Sequence, residues 1–449
     1  MTPLTNFSHL HALTEKIPFE GESVSIVHAH ATAPAYKWVD AKESEADGIA
    51  GVEDAARAAV VLLRHYELTK DDSSLRRARP LCEFVMKMQA EDGRFYNFIF
   101  ADHTINRTGK NSYKSFGWWA SRAIVCLSTA YRILKEKDHS FAERCRKAIV
   151  RSLPHVDSAL APYNRMTVKK GFRMPEYLLY QTGADVSSEL MLGLIEFARA
   201  SGDERIRTQI RKMGEGLVLM QEGDWRKFPH ALHRSWETTW RARGNSQTQA
   251  LASAALYLDE KDFLRSAVLE ANAFYSRLII HGMMKEMDVT KPDNKRDYEQ
   301  TASGIRPMAL GLIRIFEATD DTMYLKMAAL ASSWLFGNNS AEEQMYDPKT
   351  GRCFDGITAK GVLNKNSGAE STIEALAVIV ELSRYPGFRK YLHYRRIDSY
   401  SVGSDRIAVF RHTDGNAGVF VMDIEKKTLQ FLEGKNADAF VRKHPELVA

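Results

Sequence analysis

Residues 361–382 read GVLNKNSGAESTIEALAVIVEL, a polar, glycine-containing loop that runs directly into an apolar segment with helical spacing. Ser367, followed three residues later by Glu370, fits a capping box, in which side chains and backbone N–H groups pair reciprocally at a helix start. Capping leaves Asn364, Asn366 and the long loop before them unexplained. The rest of the chain supplies a reason, because the same arrangement occurs six times.

Helical spacing of apolar residues recurs along the chain. It predicts twelve helices, at about 52–68, 74–90, 118–136, 139–152, 186–201, 204–221, 247–258, 261–281, 301–318, 321–336, 369–384 and 387–395. They pair into six hairpins with short links of stop signals, TKDDS, KEKDH, SGDE, LDEKD, ATDD and RYPG. Long loops separate the hairpins, at 91–115, 153–184, 222–246, 282–299 and 337–367.

Alternating short and long connections have a geometric consequence. Antiparallel helices place every short link at one end of the assembly and every long loop at the other. We therefore expect an all-α (α/α)6 toroid, with one helix of each hairpin inside and its functional face on the long-loop side. The expected division is an N-terminal extended segment with a strand (1–49), the barrel (50–395) and a β-hairpin-rich C-terminal segment (396–449). We expect the two terminal segments to form a small β element.

The inner helices should begin on the long-loop face, and their first turns combine small residues with polar ones. We expect these starts to line a central pocket. Six of the seven tryptophans lie in long loops or at these starts, which suggests platforms for stacking against sugar rings. The predicted substrate-binding residues are Asp47, Glu53, Trp118, Trp119, Glu189, Trp236, Arg241, Asn245, Gln247, Gln249, Glu299, Gln300, Arg306, Asn364 and Asn366.

Carboxylates on the same face are the candidates for catalysis. Glycoside hydrolysis needs one carboxylic acid to protonate the leaving oxygen and a second carboxylate as base or nucleophile. Asp54 and Glu370 open the first and last inner helices, which become neighbours when the ring closes. We expect Glu370 to be the general acid and Asp54 the opposing carboxylate, with Asp355 as a third catalytic candidate.

Composition narrows the function classes. The chain has 62 Lys and Arg against 57 Asp and Glu without a dense basic run, so no nucleic-acid partner is indicated. No apolar run reaches membrane-spanning length and the first twenty residues lack a signal-peptide pattern. Cysteines in apolar helical patterns favour a reducing cytoplasm. No motif indicates a nucleotide cofactor or a metal, and His28, His30, His230 and His233 suit hydrogen bonding in loops better than metal binding.

Two segments, residues 45–57 and 334–376, resemble the six-hairpin glycosidase superfamily, and within it family-nine-type glycoside hydrolases. Asp47 and Asp54 match an Asp-rich segment before an early helix. Trp334, Gly337 and Asn338 match a late W-x-x-G-x-N element, and Glu370 lies where those enzymes carry a catalytic acid. The resemblance implies an (α/α)6 barrel that cleaves glycosidic bonds without a cofactor.

Two other functions fit the same pattern. A sugar epimerase or polysaccharide lyase would keep the sugar and change the reaction, with Tyr113 or Tyr298 as base, or a histidine, and Arg241 or Arg306 beside an acidic sugar. A non-catalytic glycan-binding protein would need no facing titratable groups. Paired carboxylates across the cavity would favour hydrolysis, and paired histidines at its floor would favour epimerisation.

Overall fold

Six inner helices form a closed ring. The computed structural model describes residues 4–39 and 47–444. Each inner helix packs against the next one along the chain, and the sixth packs against the first. In chain order these helices, called here the first to sixth inner helix, are Val52–Thr69, Trp118–Leu134, Ala184–Ser201, Gln247–Leu258, Ala302–Thr319 and Ala369–Leu382. The predicted (α/α)6 barrel is therefore confirmed, with helix bounds within a few residues of those expected.

An outer layer surrounds the ring. The first five inner helices are each followed, across a short link, by the outer helices Asp72–Lys87, His139–Leu160, Glu204–Val218, Lys261–Glu270 and Met323–Ser332. The fourth of these continues through a π-helical turn, Ala271–Tyr275, into Ser276–His281, and the fifth ends in a 3-10 turn, Ser333–Leu335.

The sixth hairpin departs from the prediction of a helix at 387–395. Its outer element is a run of 3-10 turns, Pro386–His393. Pro386 lacks an N–H group and Gly387 has a high conformational entropy when unfolded, so both disfavour a regular α-helix here. A short N-terminal helix, Ser8–Leu13, packs against the sixth inner helix instead.

Strand content is larger than the small β element expected, and the two terminal segments do not share a sheet. Near the N-terminus, Thr14–Phe19 pairs with Glu22–Val27, while Tyr394–Val402, Asp405–His412, Ala417–Asp423 and Thr428–Glu433 form a separate antiparallel sheet, followed by the helix Lys435–Lys443. The long loops fold back on themselves because their backbone groups need hydrogen-bond partners. Their short strands are Ala31–Thr32, Lys37–Trp38, Ala50–Gly51, Phe98–Ile99, Met166–Lys169, Phe172–Pro175, Gln221–Glu222, Leu232–His233, Thr239–Arg241, Glu286–Asp288, Lys295–Arg296, Tyr346–Asp347, Arg352–Cys353, Gly356–Ala359 and Val362–Asn364.

The N-terminal segment is joined to the start of the sixth inner helix. The backbone N–H groups of Ser367 and Ala369 donate to the carbonyl oxygens of Ala31 and Ala29, at 3.2 and 3.0 Å. The His9 ring nitrogen Nε2 lies 2.9 Å from the carbonyl oxygen of Ser367. These contacts hold the N-terminal segment against the start of the sixth inner helix at the long-loop face.

Ion pairs between inner helices close the short-link end of the ring. Arg64 of the first inner helix contacts Glu196 of the third at 2.8 Å, and Arg314 of the fifth contacts Glu381 of the sixth at 2.8 Å. Arg132 of the second inner helix reaches Glu196 at 2.5 Å. In the described part of the chain, no helix combines the length and apolarity required to cross a membrane.

Close packing of the ring depends on a glycine in the third inner helix. A Cβ atom on Gly193 would lie 2.8 Å from the backbone nitrogen of Val125 and 2.9 Å from Cγ2 of Ile124, both in the second inner helix. Such contacts force neighbouring atoms apart, because barrel interiors are close-packed.

We expect Gly193→Ala to lower the free energy of unfolding by about 1–3 kcal/mol, the usual range for overpacking, despite alanine's higher helix propensity. Thermal or denaturant unfolding measures the change. Gly387→Ala is the matched control, since nothing lies within 4 Å of its Cβ position. Equal stability of the two variants would contradict close helix contact at Gly193.

Candidate functional site

A cavity of about 760 Å³ opens at the long-loop face of the barrel. Its walls come from the starts of inner helices and from the loops that precede them. The lining is rich in charged and amide side chains, with aromatic rings on one side. Candidate residues that line it are Asp47, Glu53, Asp54, Trp118, Trp119, Arg241, Glu299, Asp355, Asn364, Asn366 and Glu370.

The start of the sixth inner helix is capped differently from the predicted capping box. The N-cap residue is Gly368, whose position allows no side-chain cap. Instead, Asp355 accepts hydrogen bonds through Oδ1 from the Gly368 N–H at 2.8 Å and the Ser371 hydroxyl at 2.7 Å. Asp355 thereby replaces the expected Ser367 cap, and the Glu370 side chain is left free to face the cavity.

Glu370 is held as an anion by arginines. Its Oε2 atom contacts Nη2 of Arg243, from the loop before the fourth inner helix, and lies 3.4 Å from Nη2 of Arg57. Burial alone would raise the pKa of Glu370, but the guanidinium groups of Arg243, Arg57 and Arg122 lower it to about 2. This charge state is opposite to the one that a general acid at Glu370 requires.

Asp54 lies beside Glu370, as ring closure predicts. Arg57 Nη2 is 2.6 Å from Asp54 Oδ1 and 3.4 Å from Glu370 Oε2, so the two carboxylate oxygens are no more than about 6 Å apart. Burial raises the pKa of Asp54, with Arg57 opposing it and Glu370 reinforcing it. The two carboxyl groups thus share one arginine and differ in proton affinity.

A chain of ion pairs forms the floor of the cavity. Glu374, almost fully buried, accepts a hydrogen bond from Arg57 Nη1 at 2.8 Å and contacts Arg306 Nε on its other side. Arg306 also donates through Nη2 to Glu189 at 2.7 Å, and the Ser246 hydroxyl donates to the same Glu189 oxygen at 2.7 Å. Four of these groups belong to inner helices, and Ser246 directly precedes the fourth inner helix. Together they separate the cavity from the barrel interior.

Asp185 is the acid in the cavity with the most favourable pKa for proton donation at neutral pH. It lies in the first turn of the third inner helix, is 5% exposed, and lines the cavity. Burial raises its pKa to about 7, although the Val186 N–H donates to its Oδ1 atom at 2.8 Å. No ion pair to Asp185 occurs among the described residues, which is why burial prevails.

Several predicted binding residues lie outside the cavity. Glu189, Gln249 and Arg306 line a smaller space of about 140 Å³ beneath the floor, inside the barrel. Asn245 donates to the His233 carbonyl and the Ser235 hydroxyl, and Gln247 donates to the Arg234 carbonyl, so both brace loops. Gln300 accepts a hydrogen bond from the Trp334 indole and donates to the Met283 carbonyl, and Trp236 is exposed away from the cavity lining.

The expectation that most tryptophans form sugar platforms is wrong. Within the described residues, Trp118 and Trp119 are the tryptophans that line the cavity. Trp38 stacks on His28 with ring centroids 3.7 Å apart, while Trp225 and Trp240 are buried beneath the loops. A tryptophan in a long loop anchors that loop as readily as it faces a ligand, because its large apolar ring favours burial.

Sequence reasoning missed several residues of the site. Arg122, Arg243, Asn97, Asn111 and Ser303 all line the cavity. Arg122 pairs with Glu53 at 2.5 Å, and Asn97 donates to the same carboxylate at 3.3 Å. Their signal in the sequence is weak, since isolated arginines and asparagines in loops and helix starts are common on any surface.

Histidine chemistry has little support from the geometry. Of the four histidines considered, His30 lines the cavity; His28 contacts Glu15 at 2.8 Å, and His233 is buried between Glu270 and Ser266. Burial lowers the pKa of His230 to about 4. Across residues 4–39 and 47–444, no group of three or more His, Cys, Asp or Glu side chains is placed to hold a metal ion.

Asp185 makes stability depend on pH. An unfolded aspartate loses its proton near pH 4, whereas folded Asp185 keeps its proton until about pH 7. Between these values the folded state binds the extra proton, so the free energy of unfolding falls as pH rises. Above about pH 7 this contribution is constant.

We expect Asp185→Asn to abolish that fall. Between pH 4.5 and 7.5 the free energy of unfolding of this variant, relative to that of the unmodified protein, should therefore rise by about 2–4 kcal/mol. This range corresponds to a pKa shift of about three units at most. Melting temperatures measured over this pH range test it. Asp293→Asn, at an exposed position, should run parallel to the unmodified protein. Parallel curves for both variants would show that Asp185 titrates normally.

Comparison with known proteins bears on the fold. The chain matches no protein-family model and no curated protein sequence. Cellobiose 2-epimerase from Bacillus thermoamylovorans B4167 is similar in structure, with a TM-score of 0.56, 10% identity, and 80% and 92% of the two chains covered. An unsaturated glucuronyl hydrolase specific for heparin has a TM-score of 0.51 and 10% identity, with 80% of this chain and 91% of that chain covered. A family 9 endoglucanase has a TM-score of 0.48 and 13% identity, with 79% of this chain and 73% of that chain covered. The chain has the barrel fold of the first two of these proteins.

Proposed function

We propose that this protein is a carbohydrate-active enzyme that hydrolyses a glycosidic bond in the long-loop cavity. The observation that carries the proposal is a pair of carboxyl groups that line the cavity, have widely separated pKa values, and belong to inner helices on opposite sides of the ring. Asp185 opens the third inner helix and Glu370 lies in the first turn of the sixth, which face each other across a closed ring of six. Burial raises the pKa of Asp185 to about 7, whereas arginines lower that of Glu370 to about 2 against the effect of burial.

These charge states match the two roles in glycoside hydrolysis. Asp185 keeps its proton near neutral pH and protonates the leaving-group oxygen. Glu370 remains ionised and faces the positive charge that develops on the sugar ring in the transition state. A carboxylate with so low a pKa is a weak base, so nucleophilic or electrostatic assistance suits Glu370 better than proton abstraction.

The other predicted catalytic residues act through Glu370 in this proposal. Asp54 holds Arg57 by a 2.6 Å contact, and Arg57 in turn faces Glu370. Asp355 fixes the first turn of the helix that carries Glu370, through Gly368 and Ser371. Both are positioning residues, in contrast to the direct roles expected from the sequence.

A sugar is the proposed substrate because of both lining and fold. Trp118 and Trp119 offer apolar rings, and Asn97, Asn364 and Asn366 offer amide groups suited to hydroxyls. Proteins of similar fold include a cellobiose 2-epimerase and an unsaturated glucuronyl hydrolase. Hydrolysis is favoured over epimerisation because, among the described residues, His30 is the one histidine in the lining, whereas several carboxyl groups line it.

Leaving-group dependence tests the acid. On a panel of 4-nitrophenyl and 2,4-dinitrophenyl glycosides, and the corresponding alkyl glycosides, Asp185→Asn should lower kcat/KM for alkyl glycosides by about 10²–10⁴-fold. The loss should be far smaller for 2,4-dinitrophenyl glycosides, whose leaving group needs no proton. The fall of kcat/KM with rising pH near pH 7 should be absent in Asp185→Asn, because this variant lacks the titrating acid. Glu370→Gln should lower turnover of all substrates, because it removes a charge used in every case.

Asp293→Asn, outside the cavity, is the control and should retain full activity. An equal loss for good and poor leaving groups in Asp185→Asn would refute its role as the acid. If no glycoside is cleaved, incubation of free sugars in D2O with NMR detection of C–H exchange separates epimerisation from absence of catalysis. Exchange at a sugar carbon would replace the hydrolase proposal with an epimerase.

A further inference from the structure

A second pocket, of about 110 Å³, opens beside the main cavity and is called here the side pocket. Arg243, Glu299 and Thr301 line both spaces, so they form the boundary between them. The rest of the side pocket is mostly apolar and rich in methionine, with Lys285 and Gln300 as its polar members. Its apolar side chains are Trp240, Ala242, Leu278, Met283, Met284, Ile305 and Met308.

Glu299, at this boundary, carries a carboxylate that has no partner in the described part of the chain. Across residues 4–39 and 47–444 it has neither an ion pair nor a side-chain hydrogen bond, although its side chain is partly buried. Gln300, the next residue, is fully engaged with Trp334 and Met283. A partly buried acceptor without a partner is costly unless water or a ligand donates to it.

Arg243 offers a complementary group on the same boundary. Its Nη2 atom contacts Glu370, and the described residues provide no acceptor for its Nε and Nη1 N–H groups. The boundary therefore presents a hydrogen-bond acceptor and, separate from it, a hydrogen-bond donor at the mouth of a mostly apolar recess. Thr301 adds a hydroxyl that lies 2.8 Å from that of Ser303.

We propose that the side pocket is a subsite for the acetamido group of an N-acetylated sugar. The amide N–H donates to the Glu299 carboxylate, the amide carbonyl accepts from the Arg243 guanidinium, and the methyl group enters the methionine-lined recess. This assignment rests on the proposed sugar-binding function of the main cavity and adds the substrate class.

Three features of the pocket select the acetamido group over related substituents. A hydroxyl would leave the apolar recess filled only by water. An O-acetyl group carries no N–H for Glu299, and a free ammonium would pair with Glu299 but repel Arg243 and leave the recess empty. Only a group with an N–H, a carbonyl and a short apolar end uses all three parts of the pocket.

Ligand-observed NMR titration tests this without requiring turnover. The probes are N-acetylglucosamine and N-acetylgalactosamine, with glucose, galactose, glucosamine and 6-O-acetylglucose for comparison. We expect at least one N-acetylated sugar to bind about tenfold or more tightly than its parent sugar and its amine. Tighter binding of glucosamine, or equal binding of the N-acetylated and parent sugars, would overturn the subsite while leaving a sugar site in place. If none of the six binds, the proposed function and the subsite both fail.

Variants locate the selectivity. Met284→Trp fills the recess and should remove the preference for the N-acetylated sugar over its parent sugar. Met323→Trp makes the same change in an outer helix and should keep the preference. Glu299→Ala should reduce the preference by removing the amide acceptor. Retention of full preference in both Met284→Trp and Glu299→Ala would show that the acetamido group binds elsewhere.

Discussion

The cavity depends on one buried ionic contact, the placement of Glu374 between Arg57 and Arg306. Glu374 belongs to the sixth inner helix, Arg57 to the first and Arg306 to the fifth, and Arg306 extends the contact to Glu189 of the third. Buried charges lose their hydration, and removal of one partner leaves another uncompensated. The network therefore connects the first, third, fifth and sixth inner helices, and it forms the floor of the cavity.

The same arginine determines how the acids above it behave. Arg57 contacts Asp54 and Glu370 on the cavity side and Glu374 below, so the carboxyl groups on the wall formed by the first and sixth inner helices are strongly paired. Asp185, on the opposite wall, has no ion-pair partner among the described residues, and burial raises its pKa to about 7. A difference in arginine placement, rather than in carboxyl type, separates the two roles.

The fold was predictable because it depends on periodicity, which a single sequence displays. Helix starts such as Trp118, Gln247 and Ala369 coincide with the first residues expected, and the short links occur at one end as antiparallel packing requires. The exception, Pro386–His393, is a segment whose weak periodicity was interrupted by proline and glycine. The extra strands arise in loops, where pairing depends on contacts that no local pattern encodes.

The site was predictable only in part, because residue type does not reveal direction. Asn245 and Gln247 carry the amide groups that a sugar site needs, yet they brace the backbone of their own loop. The charge of Glu370 depends on Arg243, 127 residues away, which no spacing rule connects to it. The high pKa of Asp185 follows from burial that outweighs the opposing charge of Arg241, and this balance is a property of the assembled walls.

The hydrogen bond between His9 and the Ser367 carbonyl joins residues 358 positions apart. A ribosome adding about 5–20 residues per second needs roughly 20 to 70 seconds to synthesise that interval. Throughout that time the first inner helix lacks its neighbour, the sixth, and the N-terminal segment lacks the partners of Ala29 and Ala31. Synthesis from the N-terminus therefore produces an open arc of hairpins first, and the ring closes only when its last inner helix emerges.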